Sequence, residues 1–151
     1  MSTVVVGVDG SGTARSALRE AVTQAAWRNA SVCVVNVVHF PAAMGFESSA
    51  LDIEALRDSG QAIIDDEMTR LRDDYPEGLP VAVTSQVRLG HVGSELITIG
   101  DDEGFDVELT VVGSRGYGGF RGLIVGSVTT YLVHHLETPL LIVPSVPEDA
   151  R

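Results

Sequence analysis

Short apolar runs alternate with helical repeats along the whole chain. Val4-Val5-Val6-Gly7-Val8 is a continuous, mostly β-branched run, the pattern of a strand covered on both faces. Ala14, Ala17, Leu18, Ala21, Val22 and Ala25 recur at the three- and four-residue steps of one helix face. Ser11 or Thr13 is placed to cap that helix. Val32–Val38 predicts a second buried strand. Pro41, Gly45 and Ser48-Ser49 mark residues 39–50 as a loop.

A long acidic helix is predicted from Leu51 to Asp74, with Leu56, Ile64, Met68 and Leu71 on its inner face. Asp52, Glu54, Asp58, Asp65, Asp66, Asp73 and Asp74 mostly fall on its solvated side. Val81, Val83, Ser85 and Val87 alternate as in an edge strand. Ser94–Glu103 reads as a short helix ending near Gly104, and Val107–Val112 as a strand. Ser127–Leu136 reads as a helix, broken at Thr138-Pro139 before a last strand, Leu140–Val143. Arg88 and Glu108 are unusual inside strands and mark either strand ends or register shifts.

Strands separated by single helices imply a doubly wound parallel sheet with helices on both faces, an α/β class of Rossmann-like type. A chain of 151 residues fits one domain. Its expected bounds are residues 1–146, with 147–151 a frayed tail.

Charge narrows the partners. The net charge is −11, so the chain repels the phosphates of nucleic acid and the surface of an anionic membrane. No apolar run approaches the roughly 18 residues of a membrane span. Met1-Ser2-Thr3 has no charged leader pattern, and the expected location is the cytoplasm. All ten basic residues are Arg, which removes lysine Schiff-base chemistry and lysine-dependent phosphate loops. Cys33 is the only cysteine and lies in an apolar run, so no internal disulfide or multi-cysteine zinc site can form. His39, His91, His134 and His135 make no ligand set, since neighbours on a helix point about 100° apart.

The informative segment runs from Val112 to Ser127. Five glycines fall between positions 116 and 126, between a strand and a helix. Glycine lets another group approach the backbone closely. Successive amides can form an anion-binding concavity, and the helix start near Ser127 favours a phosphate. Ser127 caps that helix or donates to a phosphate oxygen. Arg115 and Arg121 add local positive charge. The competing reading is a connector that needs glycine only to turn. Gly126-Ser127 lacks the lysine of a Walker loop, Val112-Gly113-Ser114 is not a nucleophile elbow, and Gly7–Gly12 has the wrong spacing for a dinucleotide fingerprint. Asp9 ends the first strand. It either serves a ribose hydroxyl or a phosphate-bound metal, or simply terminates the strand in an Asp-Gly turn.

These residues resemble the universal stress protein family from Val4 to Val143. Val5-Val6-Gly7-Val8-Asp9-Gly10-Ser11 is similar to the family's opening strand and turn. Gly113, Gly116, Gly126 and Ser127 carry its Gly-x2-Gly-x9-Gly-Ser/Thr pattern with both spacings intact. Thr138-Pro139-Leu140-Leu141-Ile142-Val143-Pro144 is similar to its final strand.

The resemblance implies a five-stranded parallel sheet in the order 3-2-1-4-5 and the ATP-binding subclass. Asp9 would then lie by the ribose and the phosphates; separately, a chain of this acidity is expected to take ATP with Mg²⁺ between the phosphates and Asp9. Val37 would offer backbone contacts to adenine, and Gly113, Gly116, Gly126 and Ser127 would hold the triphosphate; Arg115 joins this candidate site on its charge alone. The resemblance also implies a homodimer through Leu140–Val143. In that order strands 1 and 4 are neighbours whose connections leave on opposite sides, and ligands of open α/β sheets bind at such a crevice. The expected function is a nucleotide-dependent regulatory module in stress response. A slow ATP hydrolase and a dimeric scaffold with an empty site are the alternatives.

Overall fold

A computed structural model describes residues 1–40, 49–114 and 126–144. The elements in chain order are β1 (Ser2–Gly7), α1 (Gly12–Arg28), β2 (Ser31–His39), α2 (Ala50–Asp74), β3 (Val83–Gly90), α3 (Val92–Glu103), β4 (Asp106–Gly113), α4 (Ser127–His135) and β5 (Leu140–Val143). The sheet has the order β3-β2-β1-β4-β5, and every pairing is parallel. This is the expected α/β architecture, with helices on both faces.

Alternation along the central strands divides the core in two. Val4, Val6, Val8, Val32 and Val34 point to one face, where they meet Ala17, Leu18 and Ala21 of α1 and Ile64, Met68 and Leu71 of α2. Val5, Cys33, Val35 and Val112 point to the other, against Leu96 and Ile99 of α3 and Leu132 of α4. Each fully buried aliphatic side chain contributes about 1.5–3 kcal/mol relative to exposure. Gly60 lets α2 settle on β2 and β3, since a Cβ there would stand 2.7 Å from Val87 Cγ1 and 2.8 Å from Asn36 Oδ1.

The two odd strand residues have separate explanations. Thr3 pairs with Val107 but Val4 pairs with Leu109, so Glu108 is the extra residue of a bulge. Its carboxylate turns out to Arg28 at 3.4 Å. Arg88 marks neither an end nor a shift. It sits within edge strand β3, opposite Val37, and reaches over α3 to Glu95 at 2.6 Å, to Asp102, and to Glu103 at 3.7 Å.

Helix ends follow local chemistry. Ser11 rather than Thr13 caps α1, its Oγ accepting from the Ala14 amide at 3.2 Å. Ser49 and Asp52 form a capping box at the start of α2. Gly104 closes α3 with φ +71°, a left-handed conformation that glycine adopts without strain. Helix α4 stops at His135, one residue before the expected Leu136.

Candidate functional site at the carboxyl ends of β1 and β4

The strand order makes β1 and β4 neighbours. Their onward connections, α1 and α4, pack on opposite faces of the sheet. Their carboxyl ends therefore form the crevice where open α/β sheets take ligands. Asp9, Gly113, Gly126 and Ser127 lie around this crevice, and Val37 lies beside it. Arg115 and Gly116 fall outside the described residues.

The turn after β1 is tightly specified. The Val8 amide donates to the Val35 carbonyl at 2.9 Å, and Asn36 Nδ2 donates to the Val8 carbonyl at 2.8 Å. Asp9 Oδ1 accepts from the Ser11 amide at 2.9 Å. Gly10 has φ +85°, a conformation costly for residues with a side chain. The Asp-Gly turn reading of Asp9 is thus realised, and it fixes where the carboxylate stands.

Strand β2 outruns β1. Pairing between them ends at Gly7 and Val35, whereas β2 continues along β3 to His39. In a parallel ladder alternate residues direct both backbone groups to the same neighbour. Val35 faces β1, so Val37 presents its amide and carbonyl to the same side, beyond the last β1 residue. Its side chain packs into the α3–α4 half of the core. A donor and an acceptor side by side on a fixed edge suit the hydrogen-bonding edge of a planar heterocycle.

At the end of β4, Thr129 Oγ1 donates to the Gly113 carbonyl at 3.1 Å, and the Ser114 amide donates to the Val143 carbonyl at 2.8 Å. The Gly126 amide donates to the Ser114 carbonyl at 2.7 Å, so the two ends of segment 115–125 are held together. Gly126 caps α4 with no side-chain hydrogen bond. Ser127 is the first residue inside the helix and is exposed. The expectation that Ser127 caps α4 is therefore corrected. A cap must precede the helix, and that place belongs to Gly126.

Among the described residues no group of three or more His, Cys, Asp or Glu side chains is arranged to hold a metal. Cys33 is buried, and burial pushes its thiol up against the smaller lowering effect of a hydrogen bond with Thr84. A raised thiol is a poor nucleophile. No described helix is long and apolar enough to cross a membrane.

Two residues of the contact between α1 and α2 did not stand out in the sequence. Glu67 of α2 is 1% exposed and pairs with Arg15 of α1 at 2.9 Å. The acid-rich run hides Glu67, yet it stands three residues after Ile64 and four before Leu71, on the buried stripe. Arg15 carries no comparable signal, because its partners belong to a distant helix and a turn.

The profile of the universal stress protein family matches residues 1–144. A universal stress protein of Mycobacterium bovis is 29% identical over 161 aligned residues, covering 98% of this chain and 50% of the relative. The chain thus spans about half the length of the curated relatives it matches. The structure of the universal stress protein UspA of Lactobacillus plantarum superposes with a TM-score of 0.75 at 22% identity, covering 94% of this chain and 97% of that one. A universal stress protein solved in complex with cAMP superposes with a TM-score of 0.67 at 26% identity, covering 94% and 96%. A profile match over nearly the whole length, together with a shared fold, leads to one conclusion: the chain belongs to the universal stress protein family.

Proposed function

We propose that residues 1–146 form an ATP-binding regulatory domain of the cytoplasm, whose nucleotide occupancy sets its partner choice in a stress response. One observation supports this reading: β1 and β4 are adjacent strands with connections leaving on opposite faces, and the Asp9 turn, the backbone of Val37 and the start of α4 all belong to the carboxyl-end side of that switch point. The bound cAMP of the 26%-identical neighbour supports a nucleotide as ligand.

In this reading Val37 meets adenine through its amide and carbonyl. Asp9 faces the ribose and phosphates, and Gly113, Arg115, Gly116, Gly126 and Ser127 surround the phosphate chain. The first-turn amides of α4 favour anionic oxygens. An Mg²⁺ ion between Asp9 and the phosphates would offset repulsion from a chain of net charge −11. The domain acts as a homodimer joined through β5, whose residues are all half-buried on the sheet edge.

The test is to denature the purified protein and identify the nucleotide released, then to titrate the emptied protein with Mg-ATP and with cAMP. Released ATP supports the regulatory reading, and released ADP favours slow hydrolysis. Absence of nucleotide, with no binding of either ligand on titration, overturns the proposal in favour of a scaffold with an empty site. Tighter binding of cAMP than of ATP replaces the triphosphate by a cyclic monophosphate.

A further inference from the structure

Arg15 joins three parts of the molecule. Its Nε donates to Glu67 Oε1 of α2 at 2.9 Å, and its Nη2 donates to the Gly10 carbonyl at 3.3 Å. Its guanidinium also stands 3.8 Å from the Asp66 carboxylate. Glu67 is almost wholly buried, and an unpaired carboxylate in that place is strongly disfavoured. Burial therefore holds Glu67 to Arg15, and Arg15 in turn holds the backbone of the turn after β1.

Helix α2 touches the same turn a second time. Ile63 Cγ2 lies 3.8 Å from where a Cβ on Gly10 would stand. Gly10 directly follows Asp9, whose carboxylate accepts from the Ser11 amide. The turn therefore takes its position from α2 as well as from β1 and β2.

We propose that Arg15 and Glu67 are positioning residues, an ionic clamp by which α2 sets the placement of the Asp9–Gly10–Ser11 turn and, through it, the affinity of the crevice for nucleotide. The affinity part rests on the nucleotide reading above; the clamp itself does not. Any displacement of α2 would be passed through Arg15 to the turn, so a partner seated on α2 would change ligand affinity without touching the crevice.

The discriminating variant is Arg15→Met/Glu67→Met. Replacing a buried ion pair by apolar side chains of similar length often preserves or raises stability, while the bond to Gly10 is lost. Arg15→Met alone leaves Glu67 buried without its partner and is expected to melt lower. Three quantities are read: urea stability, hydrogen exchange of the Ser11 amide in nucleotide-free protein, and Mg-ATP affinity by calorimetry. The double variant is expected to regain stability, yet to exchange the Ser11 amide at least about fivefold faster and to bind ATP about tenfold more weakly.

A stable double variant with wild-type Ser11 exchange would overturn the clamp and leave a purely structural pair; one with faster exchange but wild-type ATP affinity would overturn its control of the crevice. Should wild type bind no nucleotide, the nucleotide reading falls, and Ser11 exchange alone decides the clamp. Should the double variant not fold, Glu67→Gln decides it by the same exchange measurement. That variant keeps the shape and removes the charge that holds Arg15.

Discussion

Thr13 occupies the space in which a side chain at Gly113 would stand. A Cβ at that position would lie 2.6 Å from Thr13 Cγ2 and 3.1 Å from the Thr13 backbone carbon. The first glycine of the Gly-x2-Gly-x9-Gly-Ser pattern is therefore required by the seating of α1 on β4, whatever the crevice binds. Gly113→Ala should lower stability by about 1–3 kcal/mol, as overpacking does. Adding Thr13→Ser removes the methyl and should restore part of it. Urea midpoints of the two variants check this, and an unchanged midpoint for Gly113→Ala would contradict the packing role.

Glu67 should leave a signature in the pH dependence of stability. Burial pushes its carboxyl above the usual glutamate range, and the hydrogen bond and charge of Arg15 offset this only in part. The folded protein then holds this proton more tightly than the unfolded chain does. The group's contribution is full below the unfolded pKa, and it is lost as pH rises through the higher folded value. The stability difference, wild type minus Glu67→Gln, should therefore fall as pH climbs through and above the ordinary carboxylate range. Denaturation series at matched ionic strength test this, and a difference that rises with pH would refute it.

Nucleotide binding should depend on a divalent cation. ATP approaching an acidic surface is repelled unless Mg²⁺ bridges its phosphates to Asp9. Calorimetric titration with EDTA should show weaker binding than with Mg²⁺. The Asp9→Asn variant should lose most of that metal dependence. Equal affinity in both conditions would remove the bridging role from Asp9.

Gly116 tests the phosphate reading of the glycine segment. It lies outside the described residues, so this prediction comes from the motif alone. If a phosphate approaches its backbone, a β-branched side chain obstructs the ligand. Gly116→Val should then weaken Mg-ATP binding at least about tenfold, equivalent to ~1.4 kcal/mol, with circular dichroism nearly unchanged. A folded variant with wild-type affinity would leave the segment as a connector.

The edge strand bears on assembly. Among the described residues β5 pairs with β4 alone, and Leu140, Leu141, Ile142 and Val143 are all partly exposed. An apolar edge of this kind invites strand pairing between copies, and a closed two-fold dimer is the usual result. Light scattering at micromolar concentration should give twice the chain mass of 16.0 kDa. A monomer mass would end this proposal.

The strands were legible because both faces of the sheet are covered. Val4–Val8 and Val32–Val38 needed no alternation to be read, and the helix stripe of α1 recurs residue for residue among its buried side chains. Glu108 stood out as a strand end or a register shift, and it is the shift; the choice was not legible, because register is a relation between β1 and β4 that neither strand encodes alone. Arg88 escaped for a related reason: its carboxylate partners lie on α3, in a different local pattern. Asp9 and Gly113 do fall after β1 and at the end of β4, but the reason for glycine at 113 is Thr13, one hundred residues away in sequence. Glu67 vanished among its acidic neighbours because charge masked the helical stripe.

The hydrogen bond from the Gly126 amide to the Ser114 carbonyl makes segment 115–125 a cassette with a fixed socket. Its two ends are joined by the fold rather than by the inserted chain. Closing a flexible insert costs only about 0.6 kcal/mol more for each doubling of its length. The scaffold should therefore accept inserts of other lengths and compositions between Ser114 and Gly126 with little loss of stability. If the stretch holds phosphate as proposed, exchanging it would alter ligand preference while the sheet, α1 and α4 stay unaltered.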